Sequence, residues 1–289
     1  MRILRKVVSL GHWLLDSEKS MSDFKKNTAS KEEDLIIESP HNKLMSPLVI
    51  TAHVFYPEFA TQLIQGLKQL PRETKVFATT PSKDIKKSLD VYLDAAGHPH
   101  DVRITPNVGR NFGPLLVEFS KQLLREESFI HVHSKKSIHS PGIAKDWLDR
   151  NRELFLTKEG IGRITSITEA NQKIGLVSVD ASDLLRGINF RWGRSKKIAK
   201  KMLRNLPEYD EVKWSGKISF PAGGMFWVRT DAVRPLFEMD WKYSFFPKEN
   251  GQQDGTLHHS IERAVGELCV SREYYRAHLV LKTDSFYYV

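Results

Sequence analysis

Cysteine is almost absent: Cys269 is the single one in 289 residues. An internal disulfide and a cysteine-based metal cluster are therefore excluded, and a reducing compartment suits the chain. Cys269 itself reads as a small core residue rather than a nucleophile. Long apolar runs are missing too, since Lys, His or Ser interrupts every candidate well short of the roughly 20 residues that cross a bilayer. Met1 to Asp16 does not have the pattern of a cleavable signal. Internal repeats, sustained low-complexity tracts and the glycine spacing of the dinucleotide fingerprint are also lacking. Positive charge is what the chain has in excess. Its 44 Lys+Arg against 35 Asp+Glu give a net charge of +9 and a pI near 9.4, so its partners are expected to be anionic. Nucleic acid is not among those expected, because no binding motif occurs and the basic residues are not interleaved with a stacking platform.

Two segments follow from the patterning. In residues 1–46, Ile3, Val7, Leu10 and Leu14 recur at helical spacing beside Arg2, Arg5 and Lys6. This suits a helix on an anionic membrane surface, and equally one docked on the protein's own core. Ser17 to Ser46 is polar and aperiodic and reads as a linker. Residues 47–289 form the expected domain. Strands are predicted at Leu48–His53, Lys75–Thr79, Val102–Ile104, Phe129–His133, Ile174–Val179 and Gly224–Arg229, alternating with helical stretches such as the one carrying Phe59, Leu63 and Leu67. That alternation predicts an α/β fold: one domain with a mostly parallel central sheet covered by helices. Asp180 to Trp214 reads as basic and irregular, and a last helix is predicted over Asp254–Gly266. Ligands of such sheets bind at the carboxyl ends of the strands.

Four groups of residues can carry chemistry there. His131 and His133 are two apart on one strand, so they share a face, and Lys135 and Lys136 follow in the next loop. They suit a phosphate or metal–phosphate site, or else packed strand histidines beside solvated lysines. In Asn107–Gly113, Gly109 and Gly113 flank Arg110 and Asn111 ahead of a helix, where amides and a guanidinium can face an anion or Asn111 can cap the helix. Further on, Gly223 and Gly224 allow close backbone approach and Trp227 offers a sugar-binding face, or the segment is a turn feeding a core strand. Asp254, at the expected start of the last helix, can cap backbone amides or act as a general base; capping would lower its pKa and weaken it as a base. His258 and Glu262 are spaced to pair along that helix.

Four ordered motifs, Asn107-x-Gly-Arg-Asn-Phe-Gly113, His131-x-His-Ser-Lys-Lys-Ser137, Phe220-Pro-Ala-Gly-Gly-Met-Phe-Trp227 and Gly251-Gln-x-Asp-Gly-Thr256, resemble the rhamnan synthesis protein F family over about Val49 to Leu281. The resemblance implies a glycosyltransferase of bacterial surface-polysaccharide assembly that uses a nucleotide-sugar donor, most plausibly of rhamnose or another deoxyhexose. It implies a lipid-linked glycan acceptor and a cytoplasmic location, peripheral on the inner face of the membrane with its anionic lipid. The order of elements is similar to the GT-A plan, whose DxD motif holds a divalent metal on the diphosphate. Here His131-Val-His133 stands in that place, so Mg or Mn is not required by the pattern, hard cations preferring carboxylate oxygen to imidazole. By the same resemblance Asp254 is the inverting base. His131, His133, Lys135, Lys136, Arg110 and Asn111 are the donor-diphosphate residues, and His53, Gly109, Gly223, Gly224 and Trp227 the nucleotide- and sugar-facing ones. Two other readings keep the same residues: a non-catalytic glycan-binding or scaffold subunit, and a zinc hydrolase using the HxH strand with His53, Asp180 or His258.

Overall fold

The computed structural model describes residues 44–134, 141–180, 190–249, 251–252, 254–280 and 285–288. The amphipathic segment and most of the polar linker expected over 1–46 lie outside the described residues. Leu44 and Met45 already pack on the domain: the Met45 amide donates to Thr165 Oγ1 at 3.0 Å, and its sulfur accepts the Trp227 indole N–H at 3.3 Å.

Among the described residues eight strands form one sheet: β1 Val49–His53, β2 Lys75–Thr80, β3 His100–Ile104, β4 Ser128–His133, β5 Ile174–Val179, β6 Phe226–Arg229, β7 Tyr275–Val280 and β8 Ser285–Tyr288. Their order is β3-β2-β1-β4-β6-β5-β7-β8. All run the same way except β6 and β8, which are antiparallel to their neighbours. The predicted mostly parallel α/β sheet is thus observed. Helices α1 Pro57–Leu67, α2 Lys83–Ala96, α4 Pro141–Phe155 and α5 Lys158–Ala170 cover one face; α3 Phe112–Leu123, α6 Lys196–Leu203, α7 Thr230–Glu238 and α8 Leu257–Ser271 cover the other. Local chemistry accounts for the helix ends: Pro57 opens α1, the Ser82 hydroxyl accepts the Ile85 amide at the head of α2, and Gly97 ends that helix at φ 75°.

Strand alternation sorts the sheet residues. Ile50 and Ala52 of β1, with Ile130 and Val132 of β4, pack under α1 and α2. Val49 and Phe129 face α3 and α7, and on that same side the carboxyl ends turn polar with Thr51, His53, His131 and His133.

Five elements depart from the expectation, one of them β8, where no strand was predicted. The stretch read as irregular contains α6, whose buried strip of Ala199 and Leu203 is too short to register as periodicity. The last helix begins at Leu257 after an N-cap at Thr256, so Asp254 lies in the loop before it. Helix α7 carries Pro235 within it. Strand β7 inserts Arg276 and His278 among apolar residues because each finds a partner, Glu267 and the Ser178 and Ser219 hydroxyls respectively.

Candidate functional site

The chain leaves β1 toward β2 and β3 on one side, then returns to lay β4 on the other, which makes the crevice between β1 and β4 a topological switch point. His53 and His133 end those two strands in register with each other, and Thr51 pairs with His131 one step inward. All four side chains are buried.

Their hydrogen bonds fix most of the ring states. Thr51 Oγ1 donates to the Ile130 carbonyl at 3.1 Å, so it accepts from His131 Nδ1 at 2.8 Å. His131 Nε2 then accepts from Asn111 Nδ2 at 3.2 Å. His131 is neutral, and burial first, then the charge at His133 and His53, holds its pKa well below 6.5. His53 joins Thr79 Oγ1 through Nδ1 at 2.9 Å; its Nε2 has no partner among the described residues. Burial, then the charge at His133, lowers it to about 3. His133 differs. Its Nδ1 lies 2.9 Å from the Ser134 carbonyl oxygen and its Nε2 2.6 Å from that of Gly223. Both partners are carbonyl oxygens, which only accept, so the ring nitrogen that carries the proton donates to one of them.

Gly223 and Gly224 carry that contact. Both have left-handed φ, 93° and 81°, and a Cβ on Gly223 would overlap the Trp147 indole, while one on Gly224 would meet Asn111 Nδ2 at 2.7 Å. The close approach expected of this pair is made to Trp147, Asn111 and His133. The Gly223 amide donates to Glu262 Oε1 at 2.7 Å, so the peptide groups on either side of Gly223 are both engaged, one by a carboxylate and the other by the His133 ring. Trp227 is 2% exposed and part of the core. It therefore presents no sugar-binding face, and the turn-and-core-strand reading describes it.

The loop after β3 reaches the opposite rim. Gly109 and Arg110 both adopt positive φ, 79° and 52°. Asn111 does not cap α3; its amide serves His131 and the Gly224 carbonyl, 3.4 Å away. Arg110 grips Glu249 with two bonds, 2.8 and 3.0 Å, and also donates to the Gln252 carbonyl at 2.7 Å and to His259 Nε2 at 3.3 Å. The hydrogen bond from Arg110 is the main reason that the Glu249 pKa falls to about 2. His259 and His258 both share the Thr256 hydroxyl, at 2.7 and 2.8 Å. Burial lowers His259 to about 4, helped by Arg110 and Arg263, and His258 to about 3, helped by His259 and Arg110. Glu262, spaced to pair with His258, turns to the Gly223 amide.

Asp254 stands at the far end of this chain of contacts. Its Oδ1 accepts from the Ser195 hydroxyl at 2.7 Å, its Oδ2 from the Arg194 amide at 3.0 Å, and Arg263 Nη2 is 3.2 Å away. The capping expected of it is thus real but serves the turn leading into α6 rather than α8. Burial would raise its pKa; the Ser195 hydroxyl, Arg263 and the amides of Gly255 and Arg194 outweigh that and lower it. Asp254 is ionised at neutral pH, with the Ser195 hydroxyl, the Arg194 and Gly255 amides and the Arg263 guanidinium gathered on its two oxygens.

The donor set does not fit a metal. Both ring nitrogens of His131 are engaged by Thr51 and Asn111, and both of His133 face carbonyl oxygens at 2.9 and 2.6 Å, so neither strand histidine turns a nitrogen toward a site for zinc, Mg or Mn. Among the described residues no group of three or more His, Cys, Asp or Glu is arranged to hold one. Lys135 and Lys136 lie outside the described residues. Sequence reasoning did not single out Thr51, Thr79, Ser195, Glu249 or Arg263, since hydroxyls and ion pairs of this kind carry no motif. Glu262 was visible only as a helix neighbour of His258.

Residues 19–274 match the family described as rhamnan synthesis protein F. The chain belongs to the rhamnan synthesis protein F family. Membership connects it with polysaccharide synthesis. It is also 26% identical over 241 residues to the protein WxcX in two strains of Xanthomonas campestris pv. campestris, an alignment covering 81% of this chain and 33% of the relative. The chain thus spans about a third of the length of those relatives. No helix among the described residues is long and apolar enough to cross a membrane.

Proposed function

We propose that the chain is a glycosyltransferase moving a sugar, rhamnose or another deoxyhexose, from a nucleoside-diphosphate donor to a lipid-linked polysaccharide acceptor on the inner face of the cytoplasmic membrane. One observation carries the reading: His53 and His133 end β1 and β4 in register at the switch point, Asn111 bonds to His131 beside them, and its neighbour Arg110 reaches His259, whose carbonyl accepts from the Arg263 that pairs with Asp254. In this reading the nucleotide lies over the ends of β1 and β4. Asp254 takes the proton of the acceptor hydroxyl as its oxygen attacks the anomeric carbon. The glycosidic bond of the donor breaks and the diphosphate departs with the electron pair. Lys135 and Lys136, which follow β4 in the sequence, stabilise that growing negative charge, with the His133 ring beside them. No step is routed through a metal, given the donor set.

A thermal-shift screen of nucleoside diphosphates and their sugars, with Mn²⁺ or EDTA, tests donor class and metal need together. A ligand at about 100 times its Kd adds about 2.7 kcal/mol, a rise of about 5–10 °C for a chain of this size. If no nucleotide raises the melting temperature under either condition, the reading fails. The non-catalytic reading draws on the engagement of Asp254 by Ser195, Arg194 and Arg263. The two separate on Asp254→Asn: loss of a general base lowers transfer about 10²–10⁴-fold with folding intact, whereas a scaffold shows no transfer in the unaltered protein.

A further inference from the structure

Between residues 190 and 204 the chain has seven lysines and arginines and no aspartate or glutamate. Five of them, Arg191, Arg194, Lys197, Lys201 and Arg204, are exposed, and none of the seven has a carboxylate at ion-pair distance among the described residues. Arginines elsewhere are used differently: Arg103, Arg110, Arg229, Arg263, Arg272 and Arg276 each reach a carboxylate. Within α6 the pairs Lys196/Lys200, Lys197/Lys201 and Lys200/Arg204 are like charges four apart, an arrangement that disfavours the helix. The fold nevertheless holds this helix firmly. Ala199 and Leu203 are fully buried, Trp192 stacks on Trp214 with ring centroids 5.2 Å apart, and Asp254 ties down Arg194 and Ser195. A rigid, self-repelling cationic ridge gains nothing inside the molecule.

We infer that α6 and its flanks form the surface that docks on anionic lipid. An eight-residue helix is about 12 Å long, close to the screening length of physiological salt, so its charges act together on a charged sheet such as a bilayer. Nucleic acid fits less well, because Trp192 is buried and Trp214 lies under Lys200, which leaves no aromatic platform for bases. Since Asp254 bonds to the head of this ridge, docking here brings the Asp254 loop to the lipid surface. The inference rests on the reading that the acceptor is membrane-bound, and it names the face that meets the membrane.

Co-sedimentation of the full chain with phosphatidylcholine vesicles, with and without phosphatidylglycerol and with no donor or acceptor, tests it. Binding is expected only to the anionic vesicles and is lost at high salt. Each cation near an anionic surface contributes about fivefold, so Lys197→Gln with Lys201→Gln weakens binding about 30-fold. The same charge change on the other face of the sheet, Lys83→Gln with Lys87→Gln, leaves it within about twofold. Undiminished binding by the Lys197/Lys201 variant overturns the inference, as does a duplex DNA that binds where anionic vesicles do not. Sugar transfer to a soluble acceptor without vesicle binding removes the docking face and spares the transferase reading; vesicle binding without transfer from any donor does the reverse.

Discussion

Gly223→Ala separates the two reasons for glycine at a left-handed position. Its natural comparison is Gly97→Ala, because Gly97 has φ 75° and open space within 4 Å of where a methyl group would stand, whereas Gly223 has φ 93° and the Trp147 indole in the way. Left-handed backbone costs an L-residue about 1–2 kcal/mol, and the stiffer unfolded chain returns about 0.4–1 kcal/mol. Gly97→Ala should therefore lose about 1 kcal/mol. Gly223→Ala adds the overpacking term, about 1–3 kcal/mol, for a total of about 2–4 kcal/mol. It also displaces the two peptide groups flanking position 223, one whose carbonyl lies against His133 Nε2 and one whose amide donates to Glu262. Urea unfolding of both variants supplies the stabilities, with a constant m-value confirming that the states compared are the same. If Gly223→Ala costs no more than Gly97→Ala, the close packing of the Gly223 turn against Trp147 is refuted.

Acid should destabilise the fold early. His53 and His258 at about 3 and His259 at about 4 are neutral when folded, so the unfolded chain takes up the extra protons. Stability is complete above their unfolded pKa of 6.5 and falls as pH drops, by about 1 kcal/mol each, roughly 3 kcal/mol in all, between about pH 6.5 and 5.5; urea midpoints that stay level across that window contradict the assigned ring states. Asn111→Ala strips His131 Nε2 and the Gly224 carbonyl of their donor, and leaving buried groups unpaired costs about 1–3 kcal/mol, seen as a fall of several degrees in melting temperature. Arg110→Ala should lift Glu249 from about 2 toward the ordinary carboxylate range in an NMR titration. Because both partners are about one-third exposed, stability should change by less than about 1 kcal/mol.

The strands that frame the crevice were legible from composition. Val49–His53 and Phe129–His133 are apolar runs interrupted only where their carboxyl ends turn polar, and the shared face of His131 and His133 follows from a period of two. Weak signals failed where a local pattern was short or broken. Helix α6 buries only Ala199 and Leu203, α7 contains a proline, and β7 carries Arg276 and His278, whose partners lie on other elements. Trp227 next to glycines suggested a sugar platform, yet the same strand that aligns it with β4 and β5 buries it.

Side-chain periodicity and turn chemistry are properties of neighbouring residues, which is why the layer order, the histidine pair and the glycine turns could be read directly from the chain. What each polar group does with its hydrogen-bonding capacity depends on residues that meet only after folding. Asn111 is 20 positions from His131, Ser195 is 59 from Asp254, and Gly223 is 90 from His133. Those encounters occupy both nitrogens of His131, set both nitrogens of His133 against carbonyl oxygens and turn Asp254 from a cap of its own helix into a clamp on another, because a donor or acceptor already used by the fold is not available to a ligand.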